Sequence, residues 1–372
     1  MQVYENRREK IYNWMADEGI ALVMIEDCEG RRNSALRWFC GQPGDALFFL
    51  SMDKKTLLIP WDINMARLYS QCDTIIPYSQ FARKPIKALA GAAEILKIPL
   101  GSKIEIPSVT PYPLFLKYVE EISDYDIICR EHGVNRELER NRALKDEEEI
   151  KIYKKLSAQT SDVINLLIKN VRSGKIKTET DAALFIETEA RKRGCEGTGF
   201  DTIAAGPGRS FGIHAFPPYT AAAFGAPGLS ILDFGLKYMG YTSDVTLTFA
   251  APPLSKPQEK IISLVEKAYS LALSLTEKNA SCRSIAQAVD SFFAKSKKVM
   301  PHSLGHGIGL EAHEAPAVSS RSDNEWVLEP GMIITIEPGL YDPVHGGCRL
   351  ENDILITDNG IEILTNSQIV RL

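Results

Sequence analysis

A chain of 372 residues, 44% hydrophobic and 24% charged, is long enough for two domains and has the composition of an ordinary globular enzyme. Its formal net charge of -5 argues against a basic nucleic-acid surface, and no run of 18 apolar residues is present to cross a membrane. Seven widely spaced cysteines without a CxxC pair suggest neither a zinc-thiolate site nor a disulfide framework. With an N-terminus that lacks an apolar leader, they point to a cytoplasmic protein with no nucleic-acid or membrane partner.

Residues 5 to 19 read as an amphipathic helix ending at Gly19, followed by the strand IALVMIED. ALFFLS and TLLIPW predict two further strands around Asp53 and Lys54, and IIPYSQ another. Helices are expected over Pro85 to Leu96 and Pro111 to Glu121. This gives an α/β N-terminal domain, placed at residues 1–132, in which no motif carries chemistry. His132 falls in the inter-domain stretch and reads as exposed, and the KDEEE run from Lys145 to Glu149 as the solvated start of a helix.

Residues 133–372 form the second expected domain. One long helix carries apolar residues at Tyr153, Leu156, Val163, Leu167 and Val171, near the 3.6 period, and a second runs from Glu179 to Arg193 before Gly194. LSILDFG and YTSDVTLTF then flank Lys237-Tyr238-Met239-Gly240 as a hairpin. If the hairpin is symmetric about that loop, Asp233 and Asp244 lie directly opposite, with side chains about 4.5 to 5.5 Å apart at the β-carbons. A lone strand aspartate most simply faces solvent. Here Ile231, Leu232, Val245, Leu247 and Phe249 argue for burial, and buried charge requires a counter-ion.

A second acidic pair follows: Glu337 in MIITIEPG and Glu351 after the Gly346-Gly347 turn. Strand parity puts Arg349, Glu351 and Asp353 on one face, where the Arg349 guanidinium suits a neighbouring carboxylate or a substrate's. His302, His306 and His313 cluster within PHSLGHGIGLEAHEAP, where glycines allow close backbone approach, while His345 reads as a rim or loop residue. Glu149 and Glu259, Asp233 and Glu337, and Asp244 and Glu351 recur at offsets of 110, 104 and 107, as a duplicated helix-helix-hairpin unit would leave. Four carboxylates and an imidazole suit two divalent cations that make hydroxide at neutral pH, which is hydrolase chemistry.

Together these residues resemble the pita-bread metallohydrolases, a family that includes methionine aminopeptidase, aminopeptidase P, prolidase and the metal-free creatinase. The resemblance covers nearly the whole chain. An aspartate, another eleven residues on, GHGxGLxxHExP, TIEPG and RxE follow in order, and a creatinase-type N-terminal domain directs it to the aminopeptidase P and prolidase branch. It implies an α/β N-terminal domain plus an α+β pita-bread C-terminal domain, with duplicated helix-helix-hairpin units around a central curved sheet.

By this likeness Asp233, Asp244, His306, Glu337 and Glu351 are the metal ligands, Asp244 and Glu351 bridging two divalent ions. Mn²⁺ suits the set best, with Co²⁺ and Zn²⁺ as alternatives. The resemblance further implies His214 (in SFGIHAFPP), His313 and Glu337 as catalytic residues, and His302 and Arg349 as substrate-binding ones. The implied reaction, carried out by a homodimer, is hydrolysis of the peptide bond preceding a penultimate proline through a metal-bridging hydroxide. Aminopeptidase and dipeptidase activity both fit, and methionine-type aminopeptidase activity stays open. A non-catalytic binding module is the remaining rival, against which all five ligands stand. Three departures from the pattern, Ile213, Leu247 and Asn352, remove no ligand and bear on specificity more than on activity.

Overall fold

The computed structural model describes residues 2–372, which form two compact units, one ending at Asn141 and one running Arg142–Leu372. The first unit comprises α1 (Gln2–Glu18), β1 (Ile20–Asp27), α2 (Ala35–Cys40), β2 (Ala46–Ser51), β3 (Thr56–Pro60), α3 (Ile63–Tyr69), β4 (Thr74–Ile75), α4 (Pro85–Ile95), β5 (Lys103–Glu105), α5 (Tyr112–Glu121) and β6 (Asp126–Ile128). α6 (Val134–Ala143) closes it and crosses the division, which therefore falls after the 132/133 boundary set from sequence.

Its six strands form one mixed sheet in the order β4-β3-β2-β1-β5-β6. β2 is buried at every position and β1 at all but one, as continuous apolar runs in a covered sheet should be. The expected strand IIPYSQ is a correction. The β3–β4 register ends at Ile75, the Ile76 N–H makes a last bond to Leu58 C=O at 3.0 Å, and Pro77, its φ fixed at -67°, leads the chain into a 3-10 turn over Tyr78–Phe81. The short α2 and α3 span too few turns to leave a helical period in the sequence. His132 is exposed, as expected.

The second unit begins with α7 (Glu147–Arg172) and α8 (Glu179–Lys192), then β7 (Gly197–Thr198), β8 (Ile203–Ala205), β9 (Gly228–Phe234), β10 (Leu236–Tyr238), β11 (Tyr241–Thr242) and β12 (Val245–Ala251). Its second half repeats the plan with α9 (Lys256–Leu275), α10 (Cys282–Lys295), β13 (Gly305–Gly307), β14 (Glu314–Val318), β15 (Ile333–Ile336), β16 (Gly339–Asp342), β17 (Gly346–Arg349), β18 (Asn352–Thr357), β19 (Gly360–Ile363) and β20 (Ile369–Arg371). The sheet orders are β20-β12-β9-β8 and β14-β13-β15-β18-β19. The run β8-β9-β12 in one half thus has its counterpart in β13-β15-β18 in the other, and the duplicated helix-helix-hairpin unit is present in the fold.

Helix starts follow local chemistry. Capping boxes at Asp146/Glu149, Thr178/Asp181 and Ser255/Gln258 satisfy the first free N–H groups of α7, α8 and α9. The five apolar positions expected on α7 are all buried. The KDEEE run is solvated at Glu147 and Glu148 but not at its ends: Lys145 and Glu149 are 6% and 2% exposed, and Glu149 accepts the Tyr241 hydroxyl at 2.9 Å. Ile262, Val265, Ile285, Val289 and Phe293 of α9 and α10 pack in one core with Ile334, Ile354 and Ile356. Burying each such side chain contributes about 1.5 to 3 kcal/mol. Among the described residues all seven cysteines are free, and no helix is long and apolar enough to cross a membrane.

Candidate metal centre

The first acidic pair sits on a hairpin whose register differs from the symmetric one. Lys237 pairs with Thr242 and Tyr238 with Tyr241, and further down Asp233 pairs with Thr246, so Asp233 is not opposite Asp244. The turn itself is the reason. Met239 and Gly240 both take positive φ, 49° and 86°, as a two-residue type I′ turn needs, and the tip lies one residue later than assumed. A slip of two in the pairing keeps side-chain parity, so both aspartates still serve one site. Asp244 falls in the gap between β11 and β12, its N–H held by the Asp353 carboxylate at 3.2 and 3.3 Å.

The second pair lies just beyond the β15–β18 ladder, which ends at Ile336 and Asn352. The Glu337 N–H turns to Leu304 C=O at 2.8 Å, and the Glu351 N–H to Thr246 C=O at 3.2 Å. His306 comes from β13 between two glycines. A β-carbon at Gly305 or Gly307 would lie 2.0 Å from the carbonyl oxygens of Thr335 or Ala315, so only glycine lets this strand pack so closely. His306 Nδ1 meets Gly307 C=O at 3.1 Å, and Nε2 lies 3.6 Å from Glu337 Oε1 and 3.8 Å from Asp244 Oδ2. Asp244, His306 and Glu351 bring one ligand atom each within 4.8 Å of one another.

Whether this set suits cations follows from its electrostatics. Burial, then Glu351, Asp233, Asp353 and Glu337, push the Asp244 carboxyl well above the usual carboxylate range. Burial and Glu351 do the same to Glu337, and burial and Asp233 raise Glu351 to about 7. Burial, with His313 nearby, lowers His306 to about 4, leaving a neutral imidazole with a free lone pair. Asp233 Oδ1 is buried with no hydrogen-bond partner. Crowded carboxylates, an unsatisfied carboxylate oxygen and a neutral imidazole fit divalent cations.

These groups floor a cleft of ≈ 600 Å³ whose wall includes Phe200, Ile203, Ile213 and Phe216. His214, His302 and His313 also line it. The His313 ring centroid is 4.4 Å from that of His306, while His214 is exposed on the loop after β8. His302 Nε2 pairs with the Tyr341 hydroxyl at 2.9 Å, and Nδ1 lies 2.8 Å from Ser303 C=O and 3.7 Å from Glu337 Oε2. Burial and the Arg349 charge lower His302 to about 4. His345 does not line the cleft; its carbonyl accepts the Gln258 amide at 3.1 Å.

Arg349 is 2% exposed and committed to protein partners. Nε donates to Thr246 Oγ1 at 3.0 Å, Nη1 to Ile213 C=O at 3.1 Å and Tyr341 Oη at 2.7 Å, and Nη2 to Asp233 Oδ2 at 2.5 Å. Sequence reasoning missed Thr246 and Tyr341. Strand parity with Asp244 was the available signal for Thr246, and none existed for Tyr341. Of the departures, Leu247 is core, and Asn352 is fully used, bonding Tyr269 and Ser367 through its amide and Thr365 and Ser367 through its oxygen.

Two family descriptions match the chain: metallopeptidase family M24 over residues 151–358, and the creatinase/prolidase N-terminal domain over residues 7–123. The chain belongs to metallopeptidase family M24. An uncharacterized peptidase of Methanocaldococcus jannaschii is 34% identical, over 99% of this chain and 97% of that protein. An Xaa-Pro dipeptidase of Pyrococcus horikoshii is 29% identical over 99% of each. Among solved structures, an X-Pro aminopeptidase from Thermotoga maritima superposes with a TM-score of 0.83 at 26% identity, covering 98% of this chain and 99% of that one. As an M24 metallopeptidase the chain is a hydrolase of peptides that uses divalent metal ions.

Proposed function

We propose that this M24 metallopeptidase is an Xaa-Pro exopeptidase that hydrolyses the bond preceding a penultimate proline, at a centre of two divalent ions held by Asp233, Asp244, His306, Glu337 and Glu351. The observation that carries the reading is the convergence of carboxylates from both halves of the duplicated unit on one imidazole: Asp244, His306 and Glu351 bring ligand atoms within 4.8 Å of one another, and Glu337 Oε1 lies 3.6 Å from His306 Nε2. Ligation so rich in carboxylates favours Mn²⁺, with Co²⁺ and Zn²⁺ as alternatives. Bound there, the ions would polarise the scissile carbonyl and supply hydroxide at neutral pH, a contribution of several kcal/mol.

The chain's own groups do the rest. Glu337 faces the cleft beside His306 and His302 and carries the proton from the attacking water to the leaving nitrogen, as a placed carboxylate can. His313 lies over the ion site and donates to the carbonyl oxygen. His214 meets the substrate from the opposite loop, and His302, braced by Tyr341, borders it. Four of the five Arg349 N–H hydrogens already have protein acceptors, which supports a role in orienting Asp233 rather than in clamping a peptide carboxylate. The Phe200, Ile203, Ile213 and Phe216 wall suits a proline ring, which has no N–H to satisfy. A homodimer in a reducing, cytoplasmic setting completes the reading, the seven free cysteines supporting the compartment.

The test is a side-by-side assay of the Mn²⁺-loaded chain on Ala-Pro, Ala-Pro-Ala and Met-Ala-Ala. Cleavage of the proline peptides supports the reading, with the dipeptide alone marking a dipeptidase. Turnover of Met-Ala-Ala alone would overturn it in favour of a methionine-type aminopeptidase.

A further inference from the structure

The loop of residues 206–220 carries His214 to the cleft, and one buried carboxylate gathers both of its ends. Glu179, the first residue of α8, is 0% exposed and accepts four hydrogen bonds. Its Oε1 takes the Gly206 N–H at 2.8 Å; its Oε2 takes Arg209 Nη1 at 2.8 Å, the Thr220 N–H at 2.7 Å and Thr220 Oγ1 at 2.6 Å. Arg209 donates in turn to Pro217 C=O. The same helix start grips the returning arm again: Thr180 N–H and Oγ1 both donate to Thr220 C=O, at 3.0 and 2.8 Å.

Gly206, Arg209, Thr220 and Glu179 are all absent from the cleft lining, whereas residues 213 to 216 of the same loop line it. The tip is fastened to the ion site by Arg349 Nη1 on Ile213 C=O at 3.1 Å, and the near arm by the Gly347 N–H on Ser210 Oγ at 3.0 Å. Base and tip together leave the loop one reach over the cleft. Bonds to an ionised carboxylate are roughly twice as strong as neutral ones, and a buried charge without its full set is expensive. Glu179 is therefore the group on which the loop's geometry depends most.

We propose that Glu179 is a positioning residue for substrate: it sets the height of His214 above the ion site and so governs how tightly the peptide is held. The proposal rests on the Xaa-Pro peptidase reading above. Glu179→Gln tests it, because the replacement keeps the size but turns one oxygen into an NH₂ facing N–H donors. The expected result is a 10- to 100-fold loss in kcat/KM on Ala-Pro-Ala, the scale on which misplaced groups cost rate, carried mainly by KM. Mn²⁺ uptake should be unchanged, and amide hydrogen exchange should quicken in residues 206–220 but not in β18.

If Glu179 acts through His214, the double variant with His214→Ala loses no more than His214→Ala alone. Unchanged loop exchange, or losses that multiply, would overturn the proposal. Should Glu179→Gln not fold, Thr220→Val removes one of the four donors and carries the same test at smaller amplitude. The exchange measurement needs no substrate, so a wild-type chain that cleaves no proline peptide sinks the peptidase reading while loop exchange still decides on the clamp.

Discussion

Thr246 and Glu351 lie in different halves of the duplicated unit, yet they share two hydrogen bonds: Thr246 Oγ1 donates to Glu351 Oε2 at 2.7 Å, and the Glu351 N–H donates to Thr246 C=O at 3.2 Å. The same hydroxyl accepts Arg349 Nε at 3.0 Å, so one threonine ties a proposed ligand of the second half to the strand of the first. Thr246→Val preserves shape and strand propensity while deleting both hydroxyl bonds. It should cost about 1 to 3 kcal/mol, the penalty of leaving buried polar partners unsatisfied. Urea unfolding of the metal-free chain would show it, together with weaker Mn²⁺ binding; an unchanged midpoint would mean the hydroxyl is not a brace.

Arg349 and Asp233 form a buried pair at 2.5 Å. Arg349→Met should destabilise the metal-free chain by about 3 to 5 kcal/mol, because Asp233 is then a buried charge without its cation. Adding Asp233→Asn should recover part of that loss, since the two effects are coupled. Simple addition of the two penalties would show the pair to be energetically independent.

Acidity provides a separate check. In the metal-free fold Asp244 and Glu337 lie well above the ordinary range and Glu351 near 7. A carboxyl whose folded pKa is raised contributes stability that is fully present below its unfolded value, about 4, and lost as pH rises through the folded one. The metal-free chain should therefore lose stability as pH rises from about 4, the Glu351 share being lost by about pH 7 and the Asp244 and Glu337 shares as pH rises through their raised values. Divalent ions bind the deprotonated groups and offset the loss over the same window. The gap in Tm between Mn²⁺-loaded and EDTA-treated protein should widen from about pH 5 to about pH 7.5; a flat or narrowing gap would contradict the assigned ligands.

Much of this was legible in the residues themselves. Aspartates embedded in apolar strands cannot be both buried and bare, which marks Asp233 and Asp244 in the sequence, while Glu337 and Glu351 stand out there only as a second acidic pair. Near-constant offsets between the halves exposed the duplication. The hairpin register was not legible, because Met239 adopts a positive φ that its side chain does not advertise, hiding a two-residue turn inside a four-residue loop. Tyr341 was hidden for another reason: it acts through a contact to Arg349, and spacing along the chain does not record which side chains a central arginine reaches. Lys145 and Glu149 looked like a solvated charge run, but a capping box and the Tyr241 hydroxyl draw Glu149 inside.

Glu337→Gln separates holding ions from moving protons. It keeps the side chain's length and one carboxyl-type oxygen but removes the group proposed to accept the proton beside His306 and His302. Turnover of Ala-Pro-Ala should fall by at least about 10²-fold, the lower end for loss of a general acid/base, with the fold intact by circular dichroism. Activity within a few-fold of wild type would transfer the proton-shuttle role to another group.

The most direct measurement is titration of Mn²⁺ into chelator-treated protein, with binding followed by calorimetry and hydrolysis of Ala-Pro-Ala assayed at each addition. A dinuclear hydrolytic centre built from Asp233, Asp244, His306, Glu337 and Glu351 predicts no turnover without metal, uptake of about two equivalents per chain, and activity rising as they bind. Full hydrolysis by the metal-free chain, or no uptake of metal at neutral pH, would contradict it.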